Sequence, residues 1–188
     1  MKTTPHKITL SAMFMAAGMV LPFLTGQMQQ VGNMLLPMHL PVFLCGLICG
    51  WEYGAVVGLV LPLLRSTAFG MPVFYPTAIA MSFELATYGL VAGVLYGRSQ
   101  WKCVKALYRA IIVAMITGRV VWGVVEVLLL GVSGNQFTWQ MFLSGALLKA
   151  IPGIVLQLTL IPAIMLVLNK TGLVPLERRG ISVENVES

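Results

Sequence analysis

Charge is what this sequence has least of. Of its 188 residues only 10% are Asp, Glu, Lys or Arg, where an ordinary soluble domain carries about 25%. With 58% hydrophobic residues and a mean hydropathy of +0.89, that shortfall excludes both a soluble globular domain and a disordered chain. Cysteine is scarce too. Cys45 and Cys49 lie one turn apart inside an apolar run, and Cys103 is the third. An odd count gives no disulfide framework, and two thiols alone make no metal site. Histidine is limited to His6 and His39. The sequence contains no G-x-x-x-x-G-K-[ST], H-E-x-x-H or G-x-S-x-G, so P-loop hydrolysis, zinc peptidase chemistry and a nucleophile elbow are not expected. No enzyme activity, cofactor or metal is read from this chain.

What is present is a series of long apolar runs. Six emerge, at about Ile8–Leu24, Leu36–Trp51, Tyr53–Phe69, Thr77–Tyr96, Ala110–Leu130 and Met141–Leu168. A helix crossing a bilayer needs ~20 such residues, so the length admits roughly six or seven spans and no further soluble domain. Lys2 and Lys7 before the first run fit the start of a signal peptide, but a small-x-small cleavage site is missing. The run is therefore read as a retained first span.

The connections alternate in charge. Lys2 and Lys7 precede span 1, Arg98, Lys102, Lys105 and Arg109 separate spans 4 and 5, and Lys170, Arg178 and Arg179 follow span 6. The connections Thr25–Leu35, Gly70–Pro76 and Val132–Gln140 contain no Lys or Arg. Basic loops stay on the cytoplasmic side. The prediction is an all-α integral membrane protein with six transmembrane helices and both termini cytoplasmic. It forms a single domain over 1–188, with cytoplasmic tails at 1–7 and 170–188.

Five ionisable residues fall within the spans: Arg65, Glu84, Arg119, Glu126 and Lys149. A charge at the bilayer centre costs about 2.5–3.5 kcal/mol on insertion scales, so such residues face protein or a watered cavity. With odd spans running outward and even spans inward, all five lie at mid-depth or in the outer half. Arg119 and Glu126 share a helix face, with Trp122 between them. Glu84 and Tyr88 form another i, i+4 pair, and Lys149, Gly153 and Gln157 form a line. His39 opens span 2. Two readings stand side by side. In one, these groups line an externally open polar cavity with three bases against two acids. In the other, they are internal ion pairs, such as Arg119 with Glu84, that only lock helices together.

Small residues recur every four positions: Gly46 and Gly50, Gly54 and Gly58, then Gly89, Gly93 and Gly97. Such stripes let helices approach closely in lipid, and packing within the chain is the reading for the glycines. Ala12-x-x-x-Ala16 forms a similar stripe on span 1.

With that stripe, the six spans and the segment from Pro37 to Gly54 (PMHLPVFLCGLICGWEYG), the chain resembles the substrate-binding S components of energy-coupling factor (ECF) vitamin transporters. The Pro37–Gly54 segment is similar to the pantothenate-type branch. The resemblance implies high-affinity vitamin binding from outside a bacterial plasma membrane, with Thr25–Leu35 as a lid. It further implies a transmembrane coupling subunit docked on Ala12 and Ala16, and two cytoplasmic ATPases that drive release. Glu84, Arg119, Glu126, Lys149 and Gln157 would line the pocket, with Asn33, His39, Tyr88, Trp122 and Trp139 around the ligand. Arg65 lies on a helix that contributes less in the family. Pantothenate would place its carboxylate on Lys149 or Arg119 and its other polar groups on Glu126, Asn33 and Gln157. A pyridine, pyrimidine or thiazole vitamin would instead stack on Trp122 or Trp139. Two rival functions follow from the buried charges: an intramembrane enzyme or assembly factor, and a solitary proton-coupled carrier using Glu84 and Glu126.

Overall fold

A computed structural model describes residues 4–24, 37–99, 103–132 and 151–170. Among these, six α-helices follow one another: α1 (Thr4–Leu24), α2 (His39–Ile48), α3 (Trp51–Phe69), α4 (Ile79–Arg98), α5 (Val104–Val132) and α6 (Ile151–Lys170). A π-turn, Phe74–Ala78, leads into α4.

Among the described residues four stretches are long and apolar enough to cross a bilayer: Pro5–Phe23, Phe74–Arg98, Val104–Gly131 and Ile151–Asn169. α3 has the length but carries Glu52 and Arg65. α2 has only 10 residues, or about 15 Å at 1.5 Å per residue, half of a hydrocarbon core. The expected span Leu36–Trp51 is thus shortened. Gly50, at φ +113°, takes a conformation open to glycine, and the chain turns there into α3. α5 starts earlier than the apolar run, at Val104, because Lys105 and Arg109 are good helix formers that hydropathy alone leaves out. Met141–Ala150, expected as the start of the sixth span, lies outside the described residues.

α2 is buried from His39 to Leu47, as expected of a helix apolar all round. It packs against α1, α3, α4 and α6. One apolar cluster joins Phe43, Leu44 and Leu47 of α2 to Tyr88, Ala92 and Tyr96 of α4, Ile111, Ala114 and Met115 of α5, and Ile161 and Met165 of α6. A second joins Val42 and Cys45 of α2 to Val57 and Leu61 of α3 and Leu85 of α4. Cys45 and Cys49 are buried and form no disulfide, in keeping with a packing role. On α5 the residues Ile112, Ile116, Val120, Val124 and Leu128 form an exposed apolar stripe, the surface a lipid-facing helix presents.

The glycines make the α2–α3–α4 contact. An added Cβ at Gly46 would stand 2.5 Å from the Gly89 carbonyl oxygen, one at Gly58 2.4 Å from that of Leu85, and one at Gly93 2.6 Å from the Trp51 Cα. Only backbone meets backbone along this seam. Gly97, counted with the same stripe from sequence, departs from it: a Cβ there meets nothing within 4 Å.

Candidate functional site

Polar side chains gather where the larger apolar cluster ends. Glu84 lies one turn N-terminal of the cluster member Tyr88, and Arg119 one turn C-terminal of Met115. α4 and α5 run antiparallel at this end, since the Tyr75 hydroxyl donates to the Leu129 carbonyl. His39 precedes the cluster member Leu40 on α2, and Gln157 lies one turn N-terminal of Ile161 on α6. His39, Glu84 and Gln157 are at most 2% exposed.

The Glu84 carboxylate organises the centre. Its Oε1 accepts from the Tyr88 hydroxyl at 2.6 Å and lies 3.1 Å from Arg119 Nη1. A buried ion pair is seldom a net source of stability, but breaking one is costly. Tyr88 is pinned on three sides. Its ring stacks on Phe43 with centroids 5.0 Å apart and tilts against His39 at 5.5 Å. It also rests on α5 at Gly118, where an added Cβ would fall 2.1 Å from a ring carbon. Phe43 and Gly118 are supporting residues that the sequence reading missed. For Gly118 the signal was there, since Ala114 and Gly118 repeat the four-residue spacing.

Besides the Tyr96 hydroxyl at the other end of α4, three buried polar atoms have no hydrogen-bond partner among the described residues: Arg119 Nε and Glu126 Oε2 on α5 and Gln157 Nε2 on α6. Leaving such groups unpaired costs about 1–3 kcal/mol each, and the two on α5 lie within electrostatic reach of Glu84. Glu126, two turns beyond Arg119 on α5, is half-buried and within electrostatic reach of Glu84. The half-buried Trp122 lies between them on the same helix.

Arg65 sits elsewhere. Its Nη1 donates to the Met19 carbonyl at 2.8 Å, and its guanidinium lies 5.4 and 5.6 Å from the ring centres of Phe23 and Phe69. Its partners among the described residues are on α1 and α3. Without Arg65 the described part of the site holds one base, Arg119, against two acids, Glu84 and Glu126, so the expected positive surplus is not found there. Asn33, Trp139 and Lys149 lie outside the described residues. No cluster of three or more His, Cys, Asp or Glu able to hold a metal occurs among the described residues.

Ala12 and Ala16 are exposed on α1. The helix turns Ser11, Gly18 and Pro22 inward instead, with Gly18 against Leu61 of α3. The alanine face is left uncovered by the rest of the described chain.

Residues 6–165 match the sequence model of a family described as the ECF transporter, substrate-specific component. The chain belongs to that family. No curated protein and no solved structure matches it. An S component is a substrate-binding part of a transporter and not an enzyme class, and S components work with a transmembrane coupling subunit and ATPases. Membership and the four apolar helices together make this a multi-pass membrane protein.

Proposed function

We propose that this S component binds pantothenate from outside the bacterial cell membrane and hands it to an ATP-driven importer. The observation that carries the reading is a set of three unpartnered buried atoms, two on α5 with the Glu84–Arg119 pair and one on α6. Two are donors, Arg119 Nε and Gln157 Nε2, and one is an acceptor, Glu126 Oε2. Pantothenate offers the complementary pattern: a carboxylate and an amide carbonyl that accept, and hydroxyls that donate. Because Glu84 already neutralises Arg119, the ligand carboxylate is assigned to Lys149 and one of its other polar groups to Asn33.

This reading takes the chain to cross six times with both termini inside, which would open the site outward. Arg98 ends α4, while Lys105 and Arg109 lie in the opening turns of α5. The polar groups of α4 and α5 gather at the other end of the pair, next to the Lys- and Arg-free turn Phe74–Ala78.

The test is mass spectrometry of the ligand retained by the purified protein, followed by titration with pantothenate. Gln157→Leu and Lys149→Ala should each weaken binding about tenfold, near 1.4 kcal/mol. A different vitamin retained unchanged would remove pantothenate and keep the S-component reading. Retention of a pyrimidine or pyridine compound would point to Glu126 pairing with a ring N–H and Trp122 stacking on it. Chemical turnover of the ligand would defeat the reading altogether.

The exposed Ala12–Ala16 face supports docking of the coupling subunit, because small residues allow close helix approach in lipid. Ala12→Trp should abolish co-purification with that subunit and leave ligand affinity unchanged. Normal assembly of the variant would exclude this face as the docking surface.

A further inference from the structure

The far end of α4 carries a second recess, unrelated to the polar site. A cavity of about 520 Å³ is lined by Trp51, Leu90, Gly93, Val94, Gly97 and Arg98. Its origin is the glycine seam. At Gly93 the backbones of α3 and α4 touch, with room for no Cβ. One turn later, at Gly97, nothing lies within 4 Å of an added Cβ. Gly97 lies beyond Trp51, the first residue of α3, and among the described residues no side chain fills the wedge left there.

The walls of this wedge are of two kinds. Leu90 and Val94 are apolar and belong to a stretch able to cross a bilayer, and Leu90 is 40% exposed. At the end of the helix stand the exposed guanidinium of Arg98 and the indole of Trp51, itself 47% exposed. Tryptophan favours the bilayer–water boundary, and arginine suits the paired oxygens of a phosphate. Lys105 and Arg109, also exposed, open α5 at this same end, which α4 and α5 share through a short connection. Three exposed bases (Arg98, Lys105 and Arg109) therefore face one exposed acid, Glu52, among the described residues of this end.

We propose that the recess seats one anionic phospholipid of the bilayer, its acyl chain along Leu90 and Val94 and its phosphate on Arg98. The charge balance selects an anionic headgroup over a zwitterionic one. The continuity of the apolar wall with the lipid-facing side of α4 selects a lipid over a soluble anion.

Two substitutions separate space from charge. Gly97→Leu fills the wedge without altering charge, and the open space at Gly97 means the fold should accept it. Arg98→Gln removes the charge and leaves the wedge. The full chain, reconstituted in nanodiscs of mixed phosphatidylglycerol and phosphatidylcholine and released into mild detergent, is examined by native mass spectrometry. The wild-type chain should retain phosphatidylglycerol in preference to phosphatidylcholine. Arg98→Gln should reduce that retention about fivefold, the effect expected of one basic side chain at a membrane surface, and Gly97→Leu should reduce it at least as much by filling the seat. Retention of the transported solute should be unchanged in both, because neither residue lies near the polar site. Undiminished phosphatidylglycerol on Gly97→Leu would show diffuse attraction to the basic end and overturn the proposal. Equal retention of the two lipids by the wild-type chain would overturn it too. So would loss of the coupling subunit from Gly97→Leu with lipid retention intact, which would make the recess a protein contact.

Discussion

Replacing Arg119 by alanine should both loosen the fold and remove ligand binding. Glu84 is 1% exposed, and its Oε1 is shared between the Arg119 guanidinium and the Tyr88 hydroxyl. Deleting the guanidinium leaves a carboxylate sealed between helices with one neutral donor. Breaking a buried pair in this one-sided way costs about 3–5 kcal/mol. Affinity should fall at least tenfold, or about 1.4 kcal/mol, because the ligand loses the Nε donor. The paired replacement Glu84→Gln with Arg119→Gln separates the two effects. It removes both charges and should restore much of the melting temperature, measured in detergent, without restoring binding. An Arg119→Ala protein as stable as the wild type would mean that the pair does not hold these helices. Full affinity in that variant would take Arg119 out of the pocket.

A single methyl group at Gly89 should be as damaging as the loss of the ion pair. The Cβ of an alanine there would sit 2.3 Å from the carbonyl carbon and oxygen of Gly54. Overpacking a core commonly costs about 1–3 kcal/mol when neighbouring side chains can shift. At this position the obstacle is the main chain of another helix, so α3 and α4 must separate along the seam. The expected result is a chain that is extracted poorly and melts far below the wild type. Gly97→Ala is the control, on the same helix two turns away. It meets nothing within 4 Å and gains the helix preference of alanine over glycine, up to about 1 kcal/mol. Equal behaviour of the two variants would contradict backbone contact between α3 and α4.

Much of this was legible in the sequence because a bilayer imposes a simple rule on composition. The runs that hydropathy picks out became helices, with the closest boundaries at α3 and α4, and the stripes at Gly46, Gly54, Gly58, Gly89 and Gly93 became close contacts. The pairing of Arg119 with Glu84 was visible as one of two readings, since both charges had to find company at similar depth. The structure answers with a mixture: that pair is made, while Glu126 and Gln157 keep atoms unpaired. That Arg65 engages α1 was not legible, because depth says nothing about direction around a helix. Its acceptor is a main-chain carbonyl at Met19, a group present at every residue and so invisible in a list of side chains. The shortness of α2 was hidden for a related reason. Its apolar run continues without interruption through Gly50 into Trp51, and the bend there is a matter of backbone angle alone.

The seam built by Gly46, Gly54, Gly58 and Gly89 also limits how this protein can move. Interdigitated side chains let packed helices slide by changing rotamers, but peptide planes in direct contact have no such latitude. α1 is fastened to the same block at both levels, through Gly18 on Leu61 and through Arg65 on the Met19 carbonyl. The exposed Ala12–Ala16 face of α1 and the Glu84–Arg119 end of α4 are therefore joined by a stiff keel. Any reorientation of this block in a bilayer would have to tilt α1, α2, α3 and α4 together.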